Sequence, residues 1–217
     1  VRLALFGKAT VDYVKGGGGS GDVTVSGITN LYEGFKKLSD VTVFEELVEY
    51  YKKDIDAQYC KGIAPGMTRE PELPDVLLSK ARAFTDTAVI SICRFSGEGW
   101  DRKCTLENNP EELSKSGMEP KEDSVFERGD FYLTNAENAM VEKVKTAFPK
   151  VVVVMNVGGM VDTQWFKNDN AVDAVLMAWQ GGMEGGTAAA ELLMGIAIKF
   201  LIDTIKYLIE IIYLFLR

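Results

Sequence analysis

The sequence predicts an α/β protein: a three-layer α/β/α sandwich around a mostly parallel sheet, with a hydrophobic C-terminal helix appended. Three observations lead there. Four apolar, largely β-branched runs have the length of buried strands: Val1–Phe6, the run opening at Thr87 and closing at Arg94, Val151–Val157 and Val172–Trp179. Stretches of helical period separate them, the alternation that builds parallel sheets with helices on both faces. Each run also empties into a glycine-rich turn, after Phe6, Arg94, Val157 and Trp179. Parallel strands place such turns on one sheet edge, where ligands gather.

The first strand is already under way at Val1, which suggests a chain cut from something longer. Lys15-Gly16-Gly17-Gly18-Gly19-Ser20-Gly21-Asp22 follows it. Its backbone N–H groups could cradle an anion, yet the spacing matches neither the Walker loop nor the dinucleotide fingerprint. A flexible linker and a tight loop beside a site both remain open. Ser26–Leu38 reads as a helix with Ser26 as N-cap and Ile28, Leu31, Tyr32 and Phe35 on one face. A second helix covers Phe44–Ile55, with Leu47, Val48 and Tyr51 aligned. Cys60 to Pro74, rich in Gly and Pro, reads as a surface excursion.

Beyond the central strand, Cys104 to Asp130 is long, polar and acidic, either a lid or rim at the strand's end or a tolerated insertion. Thr134-Asn135-Ala136-Glu137 is a capping box opening a helix to Phe148, with Met140, Val141 and Val144 facing inward. Thr187–Leu193 is a shorter helix after a glycine turn. The chain divides into residues 1–195 and a tail, Ile196–Arg217, that is apolar except for Lys199, Asp203, Lys206 and Glu210. Its length would span a bilayer, but four charges are costly in lipid, so membrane insertion is not the expectation. A helix buried in a hydrophobic groove or in a homo-oligomer interface is.

Composition narrows the chemistry. A net charge of −8 over 217 residues leaves no basic patch for nucleic acid. The absence of histidine removes Ser-His-Asp and Cys-His nucleophile systems and His-ligated zinc, so proton transfer must use carboxylates, Lys or Tyr. No metal site or cofactor is expected. Cys60, Cys93 and Cys104 show no CxxC spacing and fit a reducing compartment, with Cys93 a small core residue. With no leader ahead of Val1, the expected location is the cytoplasm.

The central strand runs straight into Gly97-Glu98-Gly99, followed by Trp100, Asp101 and Arg102. Glycines on both sides let the backbone turn sharply and let a ligand approach. Position and spacing leave two readings of Glu98: a solvated loop acid or a proton-transfer group.

Taken in order, KGGGGSGDV, RFSGEGWDRK, GDFYLTNAE, VVVVMNVGG and AWQGGMEGGTAAAELLMG resemble the α/β sandwich module of glycoside hydrolase family 3, notably its β-glucosidases of bacterial origin. The resemblance covers residues 1–195. It implies an active site between this sandwich and a TIM-like barrel that supplies an aspartate nucleophile. The glutamate of the SGEGxDR pattern is the general acid/base there, which carries over to Glu98. The KGGxGSGD loop borders the same pocket, making Ser20 and Asp22 rim or interdomain contacts.

Retaining glycosidases need two carboxyl groups about 5–5.5 Å apart, and the proton shuttle needs a raised pKa. A pocket closed by Trp100 and a sugar ring would raise it, whereas pairing with Arg102 would lower it. Asp101 and Arg102 are therefore expected to pair with each other and brace the loop. The sequence departs from the family pattern twice: no nucleophile is identifiable, and Ile196–Arg217 replaces the usual Lys-x-Asn-Pro-Ser-Gly-Lys-Leu continuation. The expectation is half of an active site for a β-glucoside or oligosaccharide, inactive without its barrel. The alternative is a non-catalytic carbohydrate-binding or oligomeric scaffold module.

Overall fold

The computed structural model describes residues 1–20, 22–99 and 125–196. Trp100, Asp101, Arg102, Cys104 and the tail from residue 197 onward, with the expectations placed on them, lie outside the described residues. Among the described residues no helix is long and apolar enough to cross a membrane.

Among the described residues, five parallel strands form one sheet in the order β2-β1-β3-β4-β5. In chain order they are β1 (Arg2–Phe6), β2 (Thr42–Val43), β3 (Thr87–Arg94), β4 (Lys150–Val157) and β5 (Ala174–Met177). The helices are α1 (Leu31–Lys36), α2 (Glu45–Cys60), α3 (Asp75–Phe84), α4 (Asn135–Ala147) and α5 (Gly185–Leu193). Side-chain alternation sorts the strands' residues onto two faces. Ala4, Phe6, Ala88, Ile90, Ile92, Val151, Val153 and Met155 pack with Leu47, Tyr51, Ala81, Met140 and Val144 of α2, α3 and α4. Leu3, Leu5, Val89 and Val154 pack with Leu31 and Phe35 of α1 and Ala189 and Ala190 of α5. The three-layer sandwich and its parallel sheet are as the alternation of strand and helix predicts.

Several local expectations change. Helix α1 starts at Leu31, not after Ser26, because Asn30 and Glu33 form a capping box: Asn30 Oδ1 accepts the Glu33 N–H and Glu33 Oε2 accepts the Asn30 N–H. Helix α2 runs on to Cys60, past the predicted end at Ile55. Helix α3, with Pro74 at its N-cap and Asp75 in its first turn, falls in a stretch to which the sequence pattern assigns no element. The predicted buried strand Val172–Trp179 shortens to a strand at the sheet's edge, half-exposed because, among the described residues, only β4 flanks it; Trp179 is 51% exposed.

The Cys60–Pro74 excursion is not confined to the surface. It turns Thr68 and Glu70 into the interior, where they meet Lys8 and Asp12 beyond β1. Asp12 accepts hydrogen bonds from the Tyr59 hydroxyl (2.6 Å), the Gly66 N–H (2.7 Å) and the Thr68 hydroxyl. Lys8 donates its ammonium to the Thr68 carbonyl and its backbone N–H to Glu70 Oε2 at 2.8 Å. Burial pushes the Glu70 carboxyl up to about 8.

Since the unfolded carboxyl titrates near 4.3, the folded state holds the extra proton between these values. Glu70 therefore contributes stability that is complete below pH ~4.3 and is lost as pH rises toward 8. Each unit of separation is worth about 1.4 kcal/mol. Urea unfolding at pH 5, 7 and 9 is expected to show a falling midpoint, and Glu70→Gln to flatten that fall.

Candidate active site

The strand order turns back between β1 and β3: the chain leaves β1 toward β2, then crosses to the other side of β1 to build β3, β4 and β5. Loops leaving the carboxyl ends of β1 and β3 diverge at such a point and open a crevice. All four predicted glycine turns lie on this edge, and hydrogen bonds tie them together. The Gly158 N–H reaches the Arg94 carbonyl (3.0 Å), Gln180 Nε2 reaches the Ser96 carbonyl (3.4 Å), and the Gly182 N–H reaches the Lys15 carbonyl (2.7 Å).

Arg94 ends β3 and is 1% exposed. All five of its N–H donors are used. Nη1 and Nη2 grip Glu137 as a fork, at 2.7 and 2.6 Å. Nε donates to the Asp130 carbonyl, while Nη1 and Nη2 also reach the carbonyls of Cys93 and Tyr132. Glu137 is the same residue that closes the predicted capping box with Thr134, so one carboxylate both starts α4 and anchors β3. Burial works to raise the Glu137 carboxyl, but the guanidinium beside it prevails and holds it below its ordinary value. On β4, Asn156 is equally buried: its Oδ1 accepts the Val14 N–H (2.7 Å), and its Nδ2 donates to the carbonyls of Val14 (2.9 Å) and Trp179 (2.7 Å). Sequence reasoning passed over both residues. The available signal was a polar side chain inside an apolar run, which must find partners once buried.

From this rigid base the chain emerges as Phe95–Gly99, and Glu98 stands exposed at its tip. The two flanking glycines serve different ends. A Cβ on Gly97 would lie 2.5 Å from the Gly18 backbone nitrogen, so Gly97 permits close approach of the two loops. Gly99 takes φ +74°, a left-handed turn that returns the chain after Glu98. Ser20, predicted as a rim residue, is brought directly to Glu98: its N–H and hydroxyl lie 2.9 and 3.1 Å from Glu98 Oε2. Asp22 does not reach Glu98. It pairs instead with Lys15 at 2.5 Å and closes the loop's base. The two Ser20 donors hold the Glu98 carboxyl below its ordinary value, the reverse of the elevation a shuttling acid requires. Among the described residues, no cluster of His, Cys, Asp and Glu could hold a metal ion.

The sheet, its reversal point and the loops converging there define an open α/β domain whose glycine-rich turns share the edge at the strands' carboxyl ends. The chain belongs to the family of glycosyl hydrolase family 3 C-terminal domains, whose model matches residues 1–197. It is 54% identical over 195 residues to β-glucosidase A of Butyrivibrio fibrisolvens, covering 89% of this chain and 24% of that protein. Among solved structures it is similar to a β-glucosidase from Paenibacillus barengoltzii, at 28% identity and TM-score 0.71, over 89% of this chain and 20% of that one. β-Glucosidase 3B of Thermotoga neapolitana, solved in complex with α-D-glucose, matches at 30% identity and TM-score 0.68, over 89% and 25% of the two chains. The chain thus spans a quarter or less of the length of these relatives.

Proposed function

We propose that this chain is the sandwich half of a retaining β-glucosidase-type hydrolase and that Glu98 is its general acid/base. A TIM-like barrel completes the site and supplies the carboxylate nucleophile, and the substrate is a β-glucoside or oligosaccharide. In the first step the barrel carboxylate attacks the anomeric carbon while Glu98 passes a proton to the departing glycosidic oxygen. In the second, Glu98 takes a proton from the water that releases the sugar. The observation that carries this reading is the placement of Glu98: an exposed, hydrogen-bond-oriented carboxylate at the sheet's reversal point, on an edge otherwise built of close-packed glycine turns. In the lone domain Ser20 holds the Glu98 carboxyl below its ordinary value, so the reading requires the completed site to raise it. The nearby negative charge of a nucleophile and burial under a barrel are what would raise it.

The test is complementation. Replacing the matching quarter of the Butyrivibrio β-glucosidase A by this chain is expected to give a hybrid that hydrolyses an aryl β-glucoside, while the chain alone does not. A folded hybrid without activity, beside an active parent, contradicts the proposal. So does Glu98-dependent hydrolysis by the chain alone.

A further inference from the structure

Both donors of Ser20 converge on one oxygen of Glu98, Oε2. The backbone N–H can only donate, so a proton placed on Oε2 would face it donor to donor. Several features hold Ser20 in this position. The Glu98 N–H reaches back to the Gly18 carbonyl at 3.4 Å, and the Asp22 N–H bonds the Gly19 carbonyl at 3.0 Å. Gly19 has φ +88°, and a Cβ there would sit 2.4 Å from Glu98 Cβ and 2.5 Å from Oε2. The loop therefore lies against the carboxyl through a residue that must be glycine.

We infer that Ser20 is a positioning residue that fixes Oε2 of Glu98 as a permanent acceptor and leaves Oε1 as the oxygen that gives and takes the proton. The inference rests on the acid/base reading of Glu98 given above. It assigns to the glycine-rich loop a role in the chemistry rather than in bordering the pocket. During glycosyl transfer Oε1–H points to the leaving oxygen while Oε2 stays bonded to Ser20. During hydrolysis Oε1 collects the water proton and the Ser20 contact is unchanged. Among the described residues, the elements against Glu98 bring only Lys15 and Asp22 as charged groups, and these pair with each other.

Carboxyl and amide NMR titration of the 217-residue chain tests this. The Ser20 amide proton is expected to shift with the same midpoint as Glu98 Cδ. Ser20→Ala is expected to move that midpoint upward, and Ser20→Thr, which keeps a hydroxyl, to restore it. In the barrel-completed hybrid, Ser20→Ala should move the basic limb of kcat/KM upward and lower kcat/KM about tenfold, the worth of one charge-assisted hydrogen bond. An amide that ignores Glu98, or a midpoint unchanged in Ser20→Ala, overturns the positioning role and leaves Glu98's own role standing. A midpoint that shifts in the chain while the basic limb of the hybrid stays fixed overturns the acid/base reading on which the inference rests.

Discussion

In the barrel-completed enzyme, Glu98→Gln is expected to slow hydrolysis of β-glucosides with poor leaving groups by about 10²–10⁴-fold, the usual worth of positioned proton transfer. The amide keeps the shape of the side chain and can still accept from Ser20, but it cannot donate and recover a proton. Departure of an alkoxide needs that proton, whereas a nitrophenolate leaves almost unaided. Dinitrophenyl glucosides should therefore retain far more of their rate in the first step. For these substrates the loss moves to the second step, where water must be deprotonated, and a burst of phenol should precede a slow steady state. A uniform loss across leaving groups would assign Glu98 to binding or to loop structure.

Arg94→Leu is expected to cost about 3–5 kcal/mol of folding stability, enough to unfold many domains whose total is about 5–15 kcal/mol. The substitution leaves the Glu137 carboxylate buried without its counter-ion and strips the carbonyls of Cys93, Asp130 and Tyr132 of a donor. Stability should fall less in the double variant Arg94→Leu/Glu137→Leu, because an apolar pair replaces an ion pair at lower cost than a lone charge. Arg94→Lys should fall between, since an ammonium carries the charge but cannot form the five-donor fork. Urea midpoints measure all three. A single-variant cost below about 1 kcal/mol would put the pair among ordinary surface bridges.

Much of the architecture was legible in the chain because period and burial coincide. Three of the four apolar runs became strands within a residue of their expected ends, and the Thr134–Glu137 capping box opened its helix as predicted. The parallel sheet then gathered the glycine turns on one edge as strand–helix alternation required. What the pattern concealed has physical causes. Strand β2 is two residues long, too short to carry a period. Asn30 outcompetes Ser26 as a cap because only Asn30 has a glutamate three residues on. Thr68 and Glu70 look like loop residues locally and become interior only because Lys8 and Asp12, some sixty residues away, receive them.

The candidate site divides the same way. Glu98 and its glycines were visible as a motif at a strand end. The Ser20 contact was not, since nothing local dictates that a loop after β1 will lie on a loop after β3. The clamps beneath, Arg94 and Asn156, announced themselves only as polar residues in apolar company. Their meaning depends on carbonyls contributed by distant segments.

The central claim, that Glu98 moves the proton in a two-carboxylate retaining mechanism, is tested most directly by chemical rescue. In the barrel-completed enzyme, Glu98→Ala should hydrolyse a dinitrophenyl β-glucoside slowly and be accelerated by azide, which needs no general base and enters the vacated space. The product is predicted to be the β-configured glucosyl azide, released with retention. No acceleration, or an α-configured azide, would contradict the assignment.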